Sequence, residues 1–326
     1  MLDLPRMQRI RLSAWPKAQS FIARVFLTPN YGFLPGVRID LEGLENLPDE
    51  PVIYAMNHTD RYNYWPFQYA LWRERRRFTA TWVKGKYYQN AFVGKFMELT
   101  NNIPTVSRGY LISRDFIDAV GRPPTDEEYA ELRRAVEGDG RVPEHVPREI
   151  LESPRDMLGR PFDPSRERYA EAVNALFRAM MKRFVELNLE AFELGLDVLV
   201  FPQGTRSKRL SKGHIGLAQI ALHSGRKIVP VGCSGSDVCY PGSSPIAKRG
   251  HVIYRIGKPL TDEEIAPFRI DEPFSPFTPE AEREHRERFQ GLVDLVMDRI
   301  EALVDEPYKR SETGESEGTR GVSRFV

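Results

Sequence analysis

A surplus of charge of either sign is missing from this chain: 47 lysines and arginines stand against 46 aspartates and glutamates in 326 residues. The molecule as a whole therefore attracts neither nucleic acid nor an acidic partner, and any electrostatic site must be local. Cysteine is scarce too. Cys233 and Cys239 have neither zinc-ligand spacing nor the numbers for a disulfide framework, so they read as free thiols of a reducing compartment. Long hydrophobic runs are absent. The longest stretches without Asp, Glu, Lys or Arg are 13 residues, Val25 to Val37 and Gly213 to Gly225, each broken by Gly or Pro and polar residues. A membrane-spanning helix needs about 18 apolar residues. The opening "MLDLPRMQRIRLSAWPKAQ" holds no continuous apolar segment and no small-residue cleavage site. No GxSxG nucleophile motif occurs, which weakens a serine esterase reading. The expectation is a cytoplasmic chain that can lie on a membrane without crossing it.

At 41% hydrophobic residues the sequence can bury a core, and its patterning alternates strand with helix. Residues 1–36 read as an N-terminal amphipathic helical segment with a basic polar face. That face suits either anionic lipid or packing on the chain's own domain. Val37 to Leu41 alternates like a strand, and "VIYAM" is an apolar strand that delivers Asn57 and His58 at its end. From Asn63, a good helix cap, a helical pattern follows with Pro66 in its first turn. "RRFTATWVKG" and "NNIPTVSRG" are extended segments, the second ending at Arg108. Residues from about 109 to 185 form a helical insertion, at first irregular with short helices and rich in Pro, Gly and charge. A long amphipathic helix runs from Pro164, capped by Asp163, to Gly195. Strand, loop, helix, two strands and a last helix over about 280–304 complete an α/β domain spanning 37–305. The polar tail 306–326 reads as disordered.

Open α/β sheets present reactive groups at the carboxyl ends of their strands. His58 sits at one such end. Arg108 ends another, and the loop "QGTRSK" brings a flexible glycine, Gly204, with donors from Thr205, Arg206, Ser207 and Lys208, as a phosphate requires. The remaining histidines show no ligand spacing; His214 and His223, nine apart, do not make an i, i+4 pair. No metal is indicated. Cys233, inside an apolar strand, reads as structural. Lys84, Lys86, Lys95 and the run "RERRR" read as a solvated face, although lipid headgroups or the phosphates of coenzyme A are possible partners. For Arg108 and Arg206 surface ion pairing is the alternative to the anion-binding role, which is the favoured reading.

Four segments in order resemble the glycerophospholipid acyltransferases that acylate lysophosphatidate or glycerol 3-phosphate. "NHTDRYN" resembles the family's Asn-His block, with Asn63 where the family carries Asp. "IPTVSR" resembles its arginine block, "FPQGTRS" its third block with Gln203 in place of Glu, and "IVPVGCSG" its apolar strand with a proline. The likeness covers roughly residues 37–108 and 190–260 and leaves the insertion unmatched.

The resemblance implies a central mixed sheet flanked by helices. It also implies transfer of an acyl group from acyl-CoA or acyl carrier protein to a lysophospholipid hydroxyl such as that of 1-acylglycerol 3-phosphate, at the inner face of a membrane. His58 would be the general base, Asn63 its orienting partner, and Arg108, Gln203, Gly204, Thr205 and Arg206 the substrate environment, without cofactor or metal. Three arrangements fit the Asn63 substitution. Asn63 orients the ring, or Asp60 swings in as the carboxylate, or catalysis is lost and binding kept, as in a noncatalytic lipid-binding or scaffold protein on the same fold.

Overall fold

The computed structural model describes residues 1–33, 36–138 and 143–310. Among the described residues nine strands form: β1 Val37–Glu42, β2 Ile53–Met56, β3 Thr79–Lys84, β4 Asn102–Thr105, β5 Arg155–Met157, β6 Arg160–Phe162, β7 Asp197–Val200, β8 Ile228–Ser234 and β9 Gly250–Ile256. Seven of them build one sheet in the order β1-β9-β8-β2-β7-β3-β4, in which every pairing is parallel except β8 with β9. The sheet is therefore mixed, as expected. Strands β8, β2, β7, β3 and β4 all run the same way, so their carboxyl ends share one edge.

The helices are α1 Leu4–Arg9, α2 Lys17–Ile22, α3 Thr28–Gly32, α4 Tyr64–Arg75, α5 Ala91–Leu99, α6 Arg108–Val120, α7 Asp126–Glu137, α8 Arg148–Glu152, α9 Tyr169–Glu193, α10 Gly216–Ser224, α11 Ser236–Cys239, α12 Asp262–Ile265 and α13 Pro279–Glu301. Alternation along the strands divides the core between the two sheet faces. Ile53, Ala55, Val198 and Val200 face the core shared with α1, α6, α9, α10 and α13. Tyr54, Met56, Leu199 and Cys233 face the core that α4 and residues 23–31 cover. Cys233 is thus a packing residue, as its apolar strand suggested, and both cysteines are buried free thiols.

Several boundaries differ from the sequence expectations. The short helices of the segment 109–137 are α6 and α7, each capped at both ends: Ser107 and Thr125 at the start, Gly121 and Gly138 in left-handed conformation at the finish. The long helix α9 begins at Tyr169, not Pro164. Asp163 closes a turn onto Ser165 instead of capping the helix. Residues 1–36 do not form one uniform segment. Leu2, Met7 and Ile10 are buried in the main core, whereas Trp15, Phe21, Val25 and Phe33 are exposed. In the polar tail, Glu306–Tyr308 make a helical turn with Tyr308 buried, and the rest of that tail, 311–326, lies outside the described residues.

Candidate active site

Strand β2 is buried along its whole length, and it stays tied to its neighbour past its last residue. Asn57 donates from Nδ2 to the Cys233 carbonyl (2.9 Å) and accepts from the Cys233 N–H at Oδ1 (2.7 Å), so a side chain extends the ladder to β8. His58 follows, held by the chain on both main-chain sides. Its N–H donates to Gln203 Oε1 (3.0 Å), and its carbonyl accepts from the Ser207 N–H (2.8 Å). The imidazole stacks on the Phe201 ring with centroids 4.1 Å apart and planes at 20°.

Asn63 sets the tautomer. Its Nδ2 donates to the Asn57 carbonyl (2.8 Å), which turns Oδ1 toward His58 Nδ1 at 3.1 Å. An oxygen there requires the proton on Nδ1 and leaves the Nε2 lone pair available. Burial disfavours the imidazolium most, and the bond to Asn63 opposes it. Arg206 and Lys84 push the same way as burial, and the pKa falls from 6.5 to about 3. Part of the side chain remains accessible. The site thus holds a neutral imidazole throughout the physiological range.

Cations gather around this ring from three loops. Arg206 comes from the turn after β7 and Lys84 from the end of β3, and both act on His58. Lys86, in the helical turn Gly85–Tyr88, has its pKa lowered by burial first, then by Arg206 and Arg61. Arg61 comes from the loop after β2, and its buried Nε has no hydrogen-bond partner among the described residues. Arg206 and Arg61 both act on Lys86, and Arg206 and Lys84 both act on His58, so these four cations share a place where an anion relieves repulsion.

Chemically, the arrangement offers a base with an open lone pair beside an anion pocket. Residues 38–131 match the family model described as Acyltransferase. Among solved structures the chain is similar to the 1-acyl-sn-glycerophosphate (LPA) acyltransferase PlsC from Thermotoga maritima, at 17% identity over 92% of this chain and 87% of that one, with a TM-score of 0.40. No curated protein sequence matches.

The stretch matched by that family model holds His58, Asn63, Lys84 and Arg108, while the 201–207 loop lies beyond it. The fold unites His58, Asn63, Gln203 and Arg206. Asp60 does not approach the imidazole. Its oxygens accept from the Thr59 hydroxyl (2.9 Å) and the Tyr62 N–H (2.8 Å). Asn63 occupies the cap position of α4 without making a side-chain cap, because its amide is spent on Asn57 and His58. Gln203 supports the loop: besides the His58 N–H, it donates from Nε2 to the Arg209 carbonyl (3.2 Å) and to Ser211 Oγ (3.3 Å). Gly204 is left-handed at φ 65°, and a Cβ there would lie 2.7 Å from the His214 ring, so the tight turn needs glycine. Thr205 is buried within the same loop.

Arg108 is engaged elsewhere. Its Nε donates to Asn174 Oδ1 (2.7 Å) and its guanidinium lies 4.3 Å from the Phe177 ring centre, so its contacts run to α9. Sequence reasoning assigned the lysines after β3 to a solvated face and gave Arg61 no role. The signal available was position: Lys84 and Lys86 close a strand parallel to β7, at the edge where β2 delivers His58. His145, read as ordinary, converges with Glu127 and Glu131 on the insertion. There its Nδ1 lies 2.6 Å from Glu131, an exposed charge cluster.

Proposed function

We propose that this chain is an O-acyltransferase that moves a fatty acyl group from a thioester, acyl-CoA or acyl carrier protein, to the hydroxyl of a phosphate-bearing lysophospholipid such as 1-acylglycerol 3-phosphate. The observation that carries the reading is the neutral His58 ring, with Nδ1 bound to Asn63 and Nε2 open, beside Arg206, Lys84, Lys86 and Arg61. In the reaction, Nε2 takes the proton of the acceptor hydroxyl as its oxygen bonds to the thioester carbonyl carbon. The tetrahedral adduct then collapses, the C–S bond breaks, and the imidazolium returns the proton to the leaving thiolate. The Asn63 carbonyl dipole stabilises the transient imidazolium without a full negative charge. A bound phosphate also offsets the two cations that lower the His58 pKa, so the acceptor raises the basicity of the group that deprotonates it.

Membrane contact belongs to the same proposal. Exposed Phe21 and Val25 flank Lys17 and Arg24, and exposed Phe92 and Leu99 flank Lys95 on α5. The two elements adjoin, because Gln19 and Ile22 line one narrow slot with Phe96 and Thr100. Apolar tips between cations suit an anionic bilayer surface. No helix among the described residues is long and apolar enough to cross a membrane.

The test is acyl transfer from oleoyl thioesters to lysophosphatidate by the natural chain and by His58→Ala. A fall on the order of 10²- to 10⁴-fold is expected for removal of a general base. The weak base and the neutral Asn63 also suit a lipid-binding protein without catalysis. That reading takes over if lysophosphatidate binds and no donor supports turnover.

A further inference from the structure

The loop that carries Gln203 and Arg206 is fixed at its inner end by His58, yet its outer end, Lys208 to Ser211, has no strand to lean on. Tyr308 reaches it from the end of the described chain. After α13, the turn Glu306–Tyr308 lets this residue bind on two sides. Its carbonyl accepts from the Leu210 N–H (3.0 Å). Its phenolic oxygen accepts from the Gly235 N–H (2.9 Å) and donates to Asp237 Oδ1 (2.5 Å). Lys208 Nζ lies 5.8 Å from the Tyr308 ring centre and 3.9 Å from the Asp237 carboxylate. Gly235 is itself pinned: it is left-handed at φ 86°, and a Cβ there would lie 2.2 Å from the His251 carbonyl. This turn directly follows β8, whose Cys233 is clasped by Asn57. One buried tyrosine therefore joins the anion loop to the strand that anchors the His58 segment.

We propose that Tyr308 is a positioning residue for the anion-binding loop, setting where Arg206 stands relative to His58 and hence the affinity for a phosphorylated acceptor. The substrate part rests on the proposed function; the clamping of the loop does not. A phenylalanine would fill the same space and keep the main-chain bond to Leu210. It would leave the Gly235 N–H without its acceptor and Asp237 without its donor, so the ring would no longer be tied to β8.

The full chain is compared with Tyr308→Phe and Tyr308→Ala by amide hydrogen exchange over residues 203–211 and by kinetics with lysophosphatidate and an acyl thioester. For Tyr308→Phe, exchange at Ser207 and Leu210 is expected to quicken about tenfold, the equivalent of one buried hydrogen bond. The KM for the acceptor should rise by about the same factor, with kcat and the donor KM within about twofold. Should Tyr308→Ala fail to fold, Tyr308→Phe still decides. Unchanged exchange and unchanged acceptor KM in that variant overturn the proposal, as does an equal loss of protection across the whole sheet, which marks a general structural role. If the natural chain transfers no acyl group, the functional reading fails, and exchange alone still tests the clamp.

Discussion

Asn63 uses both ends of its amide, and that is what distinguishes it from the acid in related sequence patterns. Its oxygen faces His58 Nδ1 while its nitrogen donates to the Asn57 carbonyl. Gln203 behaves alike, accepting from the His58 N–H and donating to the Arg209 carbonyl. An acid at either place would set an oxygen against a backbone carbonyl. Asn63→Asp is therefore expected to destabilise the fold by about 1–3 kcal/mol in chemical unfolding, the cost of an unpaired buried acceptor. The same change should raise the His58 pKa by adding an opposite charge. In the natural chain the folded pKa, about 3, lies below the ordinary 6.5. The folded state then binds fewer protons between those values, so the contribution of His58 to stability is whole above pH 6.5 and is lost as pH falls from there toward 3. A pH profile of kcat/KM for the natural chain should show no rising limb from His58 between about pH 5 and 8, whereas Asn63→Asp should introduce one.

At the scale of elements, the site follows from parallel pairing. Strands β2, β7 and β3 run the same way, so their loops meet at one edge with His58, Arg206 and Lys84. The apolar run "VIYAM", the alternation at Val37–Leu41 and the apolar strand with a proline at 228–234 are legible in sequence because an apolar run or an alternation is a local signal of each strand. The pairing order is not, since register depends on partners distant in the chain. For that reason Arg77, grouped with a solvated basic run, proves to bind the buried Asp197 at the start of the neighbouring strand β7. For the same reason the sequence does not show that Lys84 acts on His58 while the Arg108 guanidinium contacts α9. The exposed apolar residues tell a similar story. The N-terminal face was legible from its amphipathic pattern, but its continuation on α5 appears only once both elements line one slot. If this shared face meets lipid, Phe21→Asp and Phe92→Asp should each weaken sedimentation with anionic vesicles while leaving the melting temperature within about 2 °C, as for exposed sites. Equal binding to vesicles by both variants would remove the face from the account.

At the scale of the molecule, the first dozen residues and the insertion interlock. Leu4 donates its N–H to the Leu158 carbonyl (2.9 Å), and the Tyr110 hydroxyl donates to the Leu2 carbonyl (3.2 Å). Arg183 donates to the Ile10 carbonyl (2.7 Å), while Glu190 accepts from the Leu12 N–H (3.0 Å). The turn between β5 and β6 is shaped for this contact. Gly159 is left-handed at φ 87°, and a Cβ there would stand 2.1 Å from Pro5. Leu2 and Met7 are completely buried between these pieces. An amphipathic anchor free to leave the domain would not be built this way, so α1 belongs to the core and only the residues after it remain to face lipid. Leu2→Ala and Met7→Ala are accordingly expected to cost about 2–5 kcal/mol each, as other buried large-to-small changes do. Urea unfolding followed by tryptophan fluorescence and by far-ultraviolet circular dichroism should move to lower concentration with the two probes still coincident. A variant that lost vesicle binding with no shift in its unfolding midpoint would instead show that this segment hangs outside the cooperative unit.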